Sequence, residues 1–224
     1  MSRPNRIIFL RHGQSQGNVD RSIYAERPDY ALELSEQGKE EAVAAGKNLI
    51  EIVKNEKVMF YLSPHWRTRM TCEGVVKSFS KDQYKIREEP RIREQEWGHL
   101  RTVDRNKILD QERDAFGTFY YRIADGESCA DVYDRVSSFF DTLFRDFEKK
   151  DFPTNVIIVT HGMTIRVFLM RWFHWTVEEF ERVANPRNCE FFVMEKQNDE
   201  KYKLITELRY HAPTHSYQYG AGIK

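Results

Sequence analysis

The chain has 224 residues, of which 40% are hydrophobic and 13% aromatic, enough for the core of one ordinary domain. Thirty-five basic side chains balance thirty-five acidic ones, so no net field attracts the protein to nucleic acid or to an anionic membrane. Three cysteines are too few for a disulfide scaffold, and residues 1–6 contain no signal-like apolar stretch. We therefore expect a soluble, cytoplasmic protein without disulfides.

Short apolar runs alternate with helical patterns along the chain. Strands are predicted near residues 6–11, 57–62, 84–88 and 155–160, with a final pair near 190–195 and 202–208. Helices with apolar stripes are predicted after Ser35, Ser128 and His161. This alternation predicts a doubly wound α/β fold with a mostly parallel sheet. We expect residues 1–224 to form a single domain, in which the weakly periodic stretch 211–224 is a mobile tail.

An apolar run that ends in His-Gly occurs twice, at residues 7–13 and 157–162. Such runs are typical of strands buried on both faces of a sheet, and ligands bind beyond the carboxyl ends of these strands. His12 and His161 are therefore predicted to face one crevice.

Two arginines are predicted at the same edge of the sheet. Arg11 directly precedes His12, and Arg67 lies in the first turn of the helix predicted after Pro64. Two guanidinium groups and the amides that begin the helices after each His-Gly would bind an anion. Because the fork of arginine matches phosphate oxygens in pairs and stabilises a phosphoryl group in transfer, the pattern predicts phosphate ester chemistry.

Two histidines could also bind a metal, but arginine neighbours repel a cation, and neither HExxH nor paired Cys-x-x-Cys spacing occurs in the sequence. We therefore expect no metal and no cofactor. A neutral imidazole can itself attack phosphorus, and His12 is the predicted nucleophile because Arg11 beside it can hold the phosphate. The leaving oxygen needs a proton, and Glu94 and Glu96 in the loop after the third strand are both candidate donors, since spacing does not choose between them.

These features resemble the histidine phosphatase superfamily, also called the phosphoglycerate mutase-like family. The resemblance spans about residues 6 to 195 and implies a three-layer α/β/α fold with a mostly parallel central sheet. It is carried by Leu10-Arg11-His12-Gly13-Gln14-Ser15 with Asn18, Ser63-Pro64-x-x-Arg67-Thr68, Arg93-Glu94, Gly126-Glu127-Ser128 and Thr160-His161-Gly162. Gln14 departs from the family pattern, in which an acidic residue is common at that position.

The resemblance also implies roles for the site residues. His12 would be the phosphorylated nucleophile and Glu94 the proton donor. The implied phosphate pocket consists of Arg11, Arg67 and His161, with Asn18 and the backbone of Gly162 as supporting contacts. In addition, Arg21 and Tyr24 in the loop after Asn18 are predicted to contact substrate, since loops at strand ends usually determine specificity. No role is assigned to His65, His99, His174, His211 or His215, because an unplaced histidine is usually a surface or satisfied core residue.

Within this family the sequence favours a phosphatase over a mutase. Cofactor-dependent mutases resemble one another in a tyrosine, an adjacent arginine pair and an asparagine that this chain lacks: it has Trp97, no arginine pair in 101–122, and Met163. Residues 93–95, 119–122 and 134–139 resemble plant and fungal members of the broad-range acid phosphatase type. We predict a metal-independent phosphomonoesterase acting on small-molecule phosphate esters, with a cofactor-dependent phosphoglycerate mutase or a non-catalytic phospholigand-binding protein as alternatives. No oligomeric state is predicted.

Overall fold

A six-stranded sheet forms the centre of the computed structural model, which describes residues 3–99 and 102–211. Its strands are β1 (Arg6–Arg11), β2 (Val58–Leu62), β3 (Tyr84–Glu88), β4 (Asn155–Thr160), β5 (Phe191–Lys196) and β6 (Tyr202–Leu204). Their order across the sheet is β3-β2-β4-β1-β5-β6, with β1 to β4 parallel to one another and β5 antiparallel to both of its neighbours, β1 and β6. Most of the predicted tail, residues 212–224, lies outside the described residues.

Helices cover both faces of this sheet. They are α1 (Gln16–Val19), α2 (Glu36–Val53), α3 (Trp66–Val75), α4 (Val103–Phe116), α5 (Cys129–Phe147), α6 (Gly162–Phe173) and α7 (Val177–Arg182). Ser35 begins α2 by accepting a hydrogen bond from the N–H of Gly38, and Ser128 forms a capping box with Asp131 at the start of α5. The expected three-layer α/β/α fold is confirmed. Among the described helices, none is both long and apolar enough to cross a bilayer.

The alternation of side chains along β1 builds two cores. Ile7 and Phe9 pack on one face with residues of α5 and α6, whereas Ile8 and Leu10 pack on the other with residues of α2 and α3. All four side chains are fully buried. A strand buried on both faces is apolar throughout, which explains why the run could be recognised in the sequence.

Strand register places the candidate residues at one edge. Arg11 is paired with Thr160 across β1 and β4, and Leu62 with Val159 across β2 and β4. The three strands are adjacent and parallel, so the segments that follow them emerge side by side. These segments begin with His12, Ser63 and His161.

The last strand is shorter than predicted, ending at Leu204 rather than near residue 208. Ile205 still donates its N–H to the carbonyl of Val193, but the N–H of Val193 donates to the side-chain hydroxyl of Thr206 at 2.9 Å. The hydroxyl of Thr206 therefore accepts the hydrogen bond that a backbone carbonyl would accept in a longer strand.

A close backbone contact fixes α2 against the loop after His12. A Cβ atom at Gly38 would lie 2.0 Å from the carbonyl oxygen of Gln14, which cannot move without shifting the loop. We expect Gly38→Ala to lower the free energy of unfolding by about 2 kcal/mol or more, measured by urea denaturation. Lys39→Ala, at the next and exposed position, is the control, with an expected change of about 0.5 kcal/mol or less. Equal stabilities of the two variants would contradict the contact.

Candidate active site

Two imidazole rings meet at the carboxyl edge of the sheet. His12 follows β1 and His161 follows β4, and the N–H of His12 donates to the carbonyl of Thr160 at 3.0 Å. The ring centroids are 5.2 Å apart, with the planes at 60° to each other. Both side chains are buried. The structure thus brings together the two histidines that the repeated strand pattern singled out.

The ring of His12 is held in one tautomer by its neighbour. Its Nδ1 lies 2.7 Å from the carbonyl oxygen of Gly13, which only accepts hydrogen bonds, so Nδ1 carries the proton. Burial, followed by the charges of Arg67 and Arg11, lowers the pKa of His12 well below its ordinary value. The ring is therefore neutral at neutral pH, and Nε2 carries an available lone pair.

His161 is held from two sides. The Nε of Arg67 donates to its Nδ1 at 3.3 Å, so the ring proton is on Nε2, which lies 2.8 Å from the hydroxyl oxygen of Ser63. Burial and then the charge of Arg67 lower the pKa of His161 well below its ordinary value. The positive charge of the site therefore belongs to the arginines rather than to the imidazoles. We call the group Arg11, His12, Arg67 and His161 the cationic cup.

Arg11 contributes an unsatisfied donor to the cup. Its Nη1 donates to the carbonyl of Pro186 at 2.5 Å, while its Nε is buried and has no hydrogen-bond partner among the described residues. This Nε lies beside the backbone of Gly162, where an added Cβ atom would be 3.7 Å away, an ordinary van der Waals distance. Buried donors without partners are costly, and an anionic oxygen in the cup would satisfy this one.

Glu94 is the carboxyl group that faces the cup. Its Oε1 accepts a hydrogen bond from the N–H of Gln95 at 3.0 Å and lies 3.5 Å from the hydroxyl of Thr164 in the first turn of α6. Burial raises the pKa of Glu94 above its ordinary value, although the Gln95 N–H and the charge of Arg67 oppose the shift. For Glu96 the described hydrogen bonds are made by the backbone, whose N–H donates to Oε2 of Glu127 at 3.0 Å.

A partly buried ion pair supports the loop that carries Glu94. The guanidinium of Arg135, in α5, donates to the carbonyls of Arg91 and Arg93 at 2.6 and 2.9 Å, and to that of Glu94 at 3.0 Å. The same group forms two 3.0 Å hydrogen bonds with Glu127. The motif residue Glu127 thus acts through Arg135, and the carbonyls of the loop are fixed relative to the sheet.

The family follows from a match along most of the chain. The sequence model of the Histidine phosphatase superfamily (branch 1) matches residues 7–206. The chain belongs to this superfamily. The resemblance that the motifs indicated is confirmed, and the cationic cup lies in a member of this superfamily.

Known relatives agree with this assignment. The chain is 45% identical over 208 residues to Phosphoglycerate mutase-like protein AT74H of Arabidopsis thaliana, covering 86% of this chain and 74% of that protein. It is 28% identical over 301 residues to Broad-range acid phosphatase DET1 of Saccharomyces cerevisiae, and the match covers 92% of this chain and 90% of that protein. A solved mycobacterial glucosyl-3-phosphoglycerate phosphatase in complex with VO3 has a TM-score of 0.73 at 22% identity, covering 93% of this chain and all of that one, which shows a shared fold.

The three other residues predicted to contact substrate, Asn18, Arg21 and Tyr24, differ in their position relative to the cationic cup. The Oδ1 of Asn18 accepts hydrogen bonds from the N–H of Ser15 and the amide of Asn188, both at 3.1 Å, so that this oxygen fixes the loop. Tyr24 packs over Gly17 and lies close enough to interact electrostatically with both arginines of the cup. Arg21 is exposed and pairs with Asp110 of α4 at 2.9 Å. Tyr24 therefore lies nearer to the role predicted for it than Arg21 does.

Two residues at the cup were not predicted. His65 was assigned no role, yet it is buried, and its ring centroid lies 4.8 Å from that of His161. Its position two residues before Arg67, at the start of α3, was the available signal. Asp29 binds both terminal nitrogens of Arg67, at 3.2 and 2.9 Å, from 38 residues away. No motif includes Asp29, so no sequence feature could have singled it out.

Proposed function

We propose that the protein is a metal-independent phosphomonoesterase that hydrolyses small-molecule phosphate esters through a phosphohistidine on His12. The observation that carries this proposal is the neutral His12, whose unprotonated Nε2 lies in a buried cup with two guanidinium groups. Superfamily membership and the similarity to a broad-range acid phosphatase support the same reaction class.

In the first step, Nε2 of His12 attacks phosphorus and the bond from phosphorus to the ester oxygen breaks. Arg11 and Arg67 stabilise the negative charge that spreads over the phosphoryl oxygens, as do the amides at the start of α6. Glu94 supplies its proton to the leaving oxygen, and its raised pKa keeps that proton in place at mildly acidic pH. An alcohol leaves and a phosphohistidine remains.

In the second step, water attacks the phosphohistidine. The carboxylate of Glu94, formed in the first step, accepts a proton from this water, and the phosphorus to nitrogen bond breaks. Phosphate is released, and both His12 and Glu94 return to their starting protonation states. The cycle consumes one ester and one water.

The charges of the cup favour a reaction without a metal. Two arginines repel a divalent cation, and the described residues include no group of three or more His, Cys, Asp or Glu side chains arranged to hold one. The guanidinium groups supply the charge stabilisation that a metal would otherwise provide.

A turnover assay tests this function. The purified chain is expected to release phosphate from p-nitrophenyl phosphate and from a set of small phosphate esters, with the rate unchanged by a metal chelator. Loss of turnover in chelator, with the fold intact by circular dichroism, would contradict metal independence. The mutase alternative predicts instead phosphoryl transfer to 3-phosphoglycerate that depends on 2,3-bisphosphoglycerate. A non-catalytic binding protein would bind phosphate without turning over any ester.

A further inference from the structure

Internal partners, chiefly Asp29, occupy most of the hydrogen-bonding capacity of Arg67. Its Nε donates to His161, its Nη1 donates to the backbone carbonyl and to Oδ1 of Asp29, and its Nη2 donates to Oδ2 of Asp29. A guanidinium has five N–H groups, and these contacts use four of them. A phosphoryl group that enters the cup must therefore share Arg67 with Asp29.

Asp29 lies inside the site rather than at its rim. It begins the short 3₁₀ turn Asp29–Ala31, and its side chain is only 15% exposed, while the flanking Pro28 and Tyr30 are exposed. The contact is bidentate and involves the backbone as well as the carboxylate. Asp29 is thus an anion held next to the position where substrate charge must bind.

Arg67 and His65, at the start of α3, both face Asp29. Arg67 lies on one side, and Nδ1 of His65 lies 3.7 Å from Oδ2 of Asp29 and has no hydrogen-bond partner among the described residues. Burial and then Arg67 lower the pKa of His65 to about 4, so this ring is neutral at neutral pH. Tyr24 and Glu94 also act electrostatically on Arg67, and neither supplies a positive charge.

We propose that Asp29 is a specificity-determining residue that weakens the preference of the cup for phosphate dianions over monoanions. Attraction to Arg11 and Arg67 and repulsion from Asp29 both grow with the charge of a bound phosphoryl group, so Asp29 offsets part of the extra attraction that a dianion gains. This inference rests on the proposed function and concerns how the site distinguishes the ionic forms of its substrate. It also favours release of the dianionic product at neutral pH.

The charge of Asp29 also acts on Glu94, the proposed proton donor. Burial is the main cause of the raised pKa of Glu94, and the charge of Asp29 adds to it, whereas Arg67 opposes it. Removal of the Asp29 charge stabilises the ionised form of Glu94, so its pKa falls and the acid form is lost at a lower pH. The alkaline limb of kcat/KM should therefore move to lower pH in Asp29→Asn.

Binding of inorganic phosphate, measured by isothermal titration calorimetry, tests the inference without requiring turnover. At about pH 8, where the dianion dominates, Asp29→Asn is expected to bind phosphate about tenfold more tightly than the wild type, and at about pH 5 only about twofold more tightly. Glu26→Gln is the matched control, because it removes the same charge from an exposed position three residues earlier. It should change the affinity by about twofold or less at either pH.

Two further variants guard against a structural explanation. Asp29→Ala removes the charge without placing an amide N–H against Arg67, and it must give the same pH pattern. Asp29→Glu keeps the charge and must keep the wild-type ratio of phosphate affinities at the two pH values. Weaker phosphate binding at both pH values in Asp29→Asn and Asp29→Ala would overturn the inference, because Asp29 would then only hold Arg67 in place. The expected binding pattern without ester turnover would support the inference and contradict the proposed hydrolysis.

Discussion

Replacement of His12 by alanine is expected to reduce kcat for phosphate esters by about 10⁴-fold or more. The reason is that Nε2 of His12 is the unprotonated ring nitrogen that no described contact engages, whereas both ring nitrogens of His161 are engaged by Arg67 and Ser63. The KM should change little, since the two arginines that bind the phosphoryl group remain. Steady-state kinetics with p-nitrophenyl phosphate measure both quantities.

A trapping experiment separates a nucleophile from a structural residue. Wild-type protein mixed with a labelled phosphate ester and quenched in denaturant at alkaline pH should carry label on a histidine, which is stable to alkali and released by acid. His12→Ala should carry none, while His211→Ala, at an exposed position, should be labelled and active like the wild type. Label or turnover retained in folded His12→Ala would assign the attack to another group.

The sheet could be predicted closely because its information is local. The runs at β1, β3 and β4 begin and end where they were predicted, since each strand's bounds are set by residue types within the run itself. The end of β6 could not be predicted in the same way. It depends on whether a backbone group or the hydroxyl of Thr206 satisfies the N–H of Val193, a competition between elements that no periodicity records.

The residues of the site also differ in whether they could be predicted from the sequence. His12, His161 and Arg67 directly follow strands or begin helices, so the parallel register alone brings them to one edge. Asp29 arrives from a loop, and its position depends on how that loop packs over α3. Its contact with Arg67 could therefore be found only in three dimensions.

The choice between two carboxyl groups shows why spacing was insufficient. Glu94 and Glu96 are two residues apart in one loop, and either could face the site in an extended segment. The fold decides through hydrogen bonds: Arg135 holds the carbonyl of Glu94, and Thr164 lies beside its carboxyl oxygen. These partners come from α5 and α6, far away in the sequence.

Replacement of Glu94 by glutamine is expected to lower kcat in proportion to how much the leaving group needs a proton. For alkyl phosphates, whose alkoxides are poor leaving groups, we expect a loss of about 10²–10⁴-fold, and for p-nitrophenyl phosphate about tenfold or less. The amide of glutamine can donate a hydrogen bond but cannot transfer a proton. A series of esters with alcohols of graded acidity measures the dependence.

Glu96→Gln is the matched control, because it makes the same change two residues away. It should keep the wild-type leaving-group dependence, whereas Glu94→Gln should also lose the alkaline limb of the pH profile. In the wild type, we expect activity to fall as pH rises through the pKa of Glu94, which burial raises, because only the acid form can protonate the leaving oxygen. Equal losses for alkyl and p-nitrophenyl esters in Glu94→Gln would remove the donor role from this carboxyl. A larger loss in Glu96→Gln would transfer it to the neighbouring side chain.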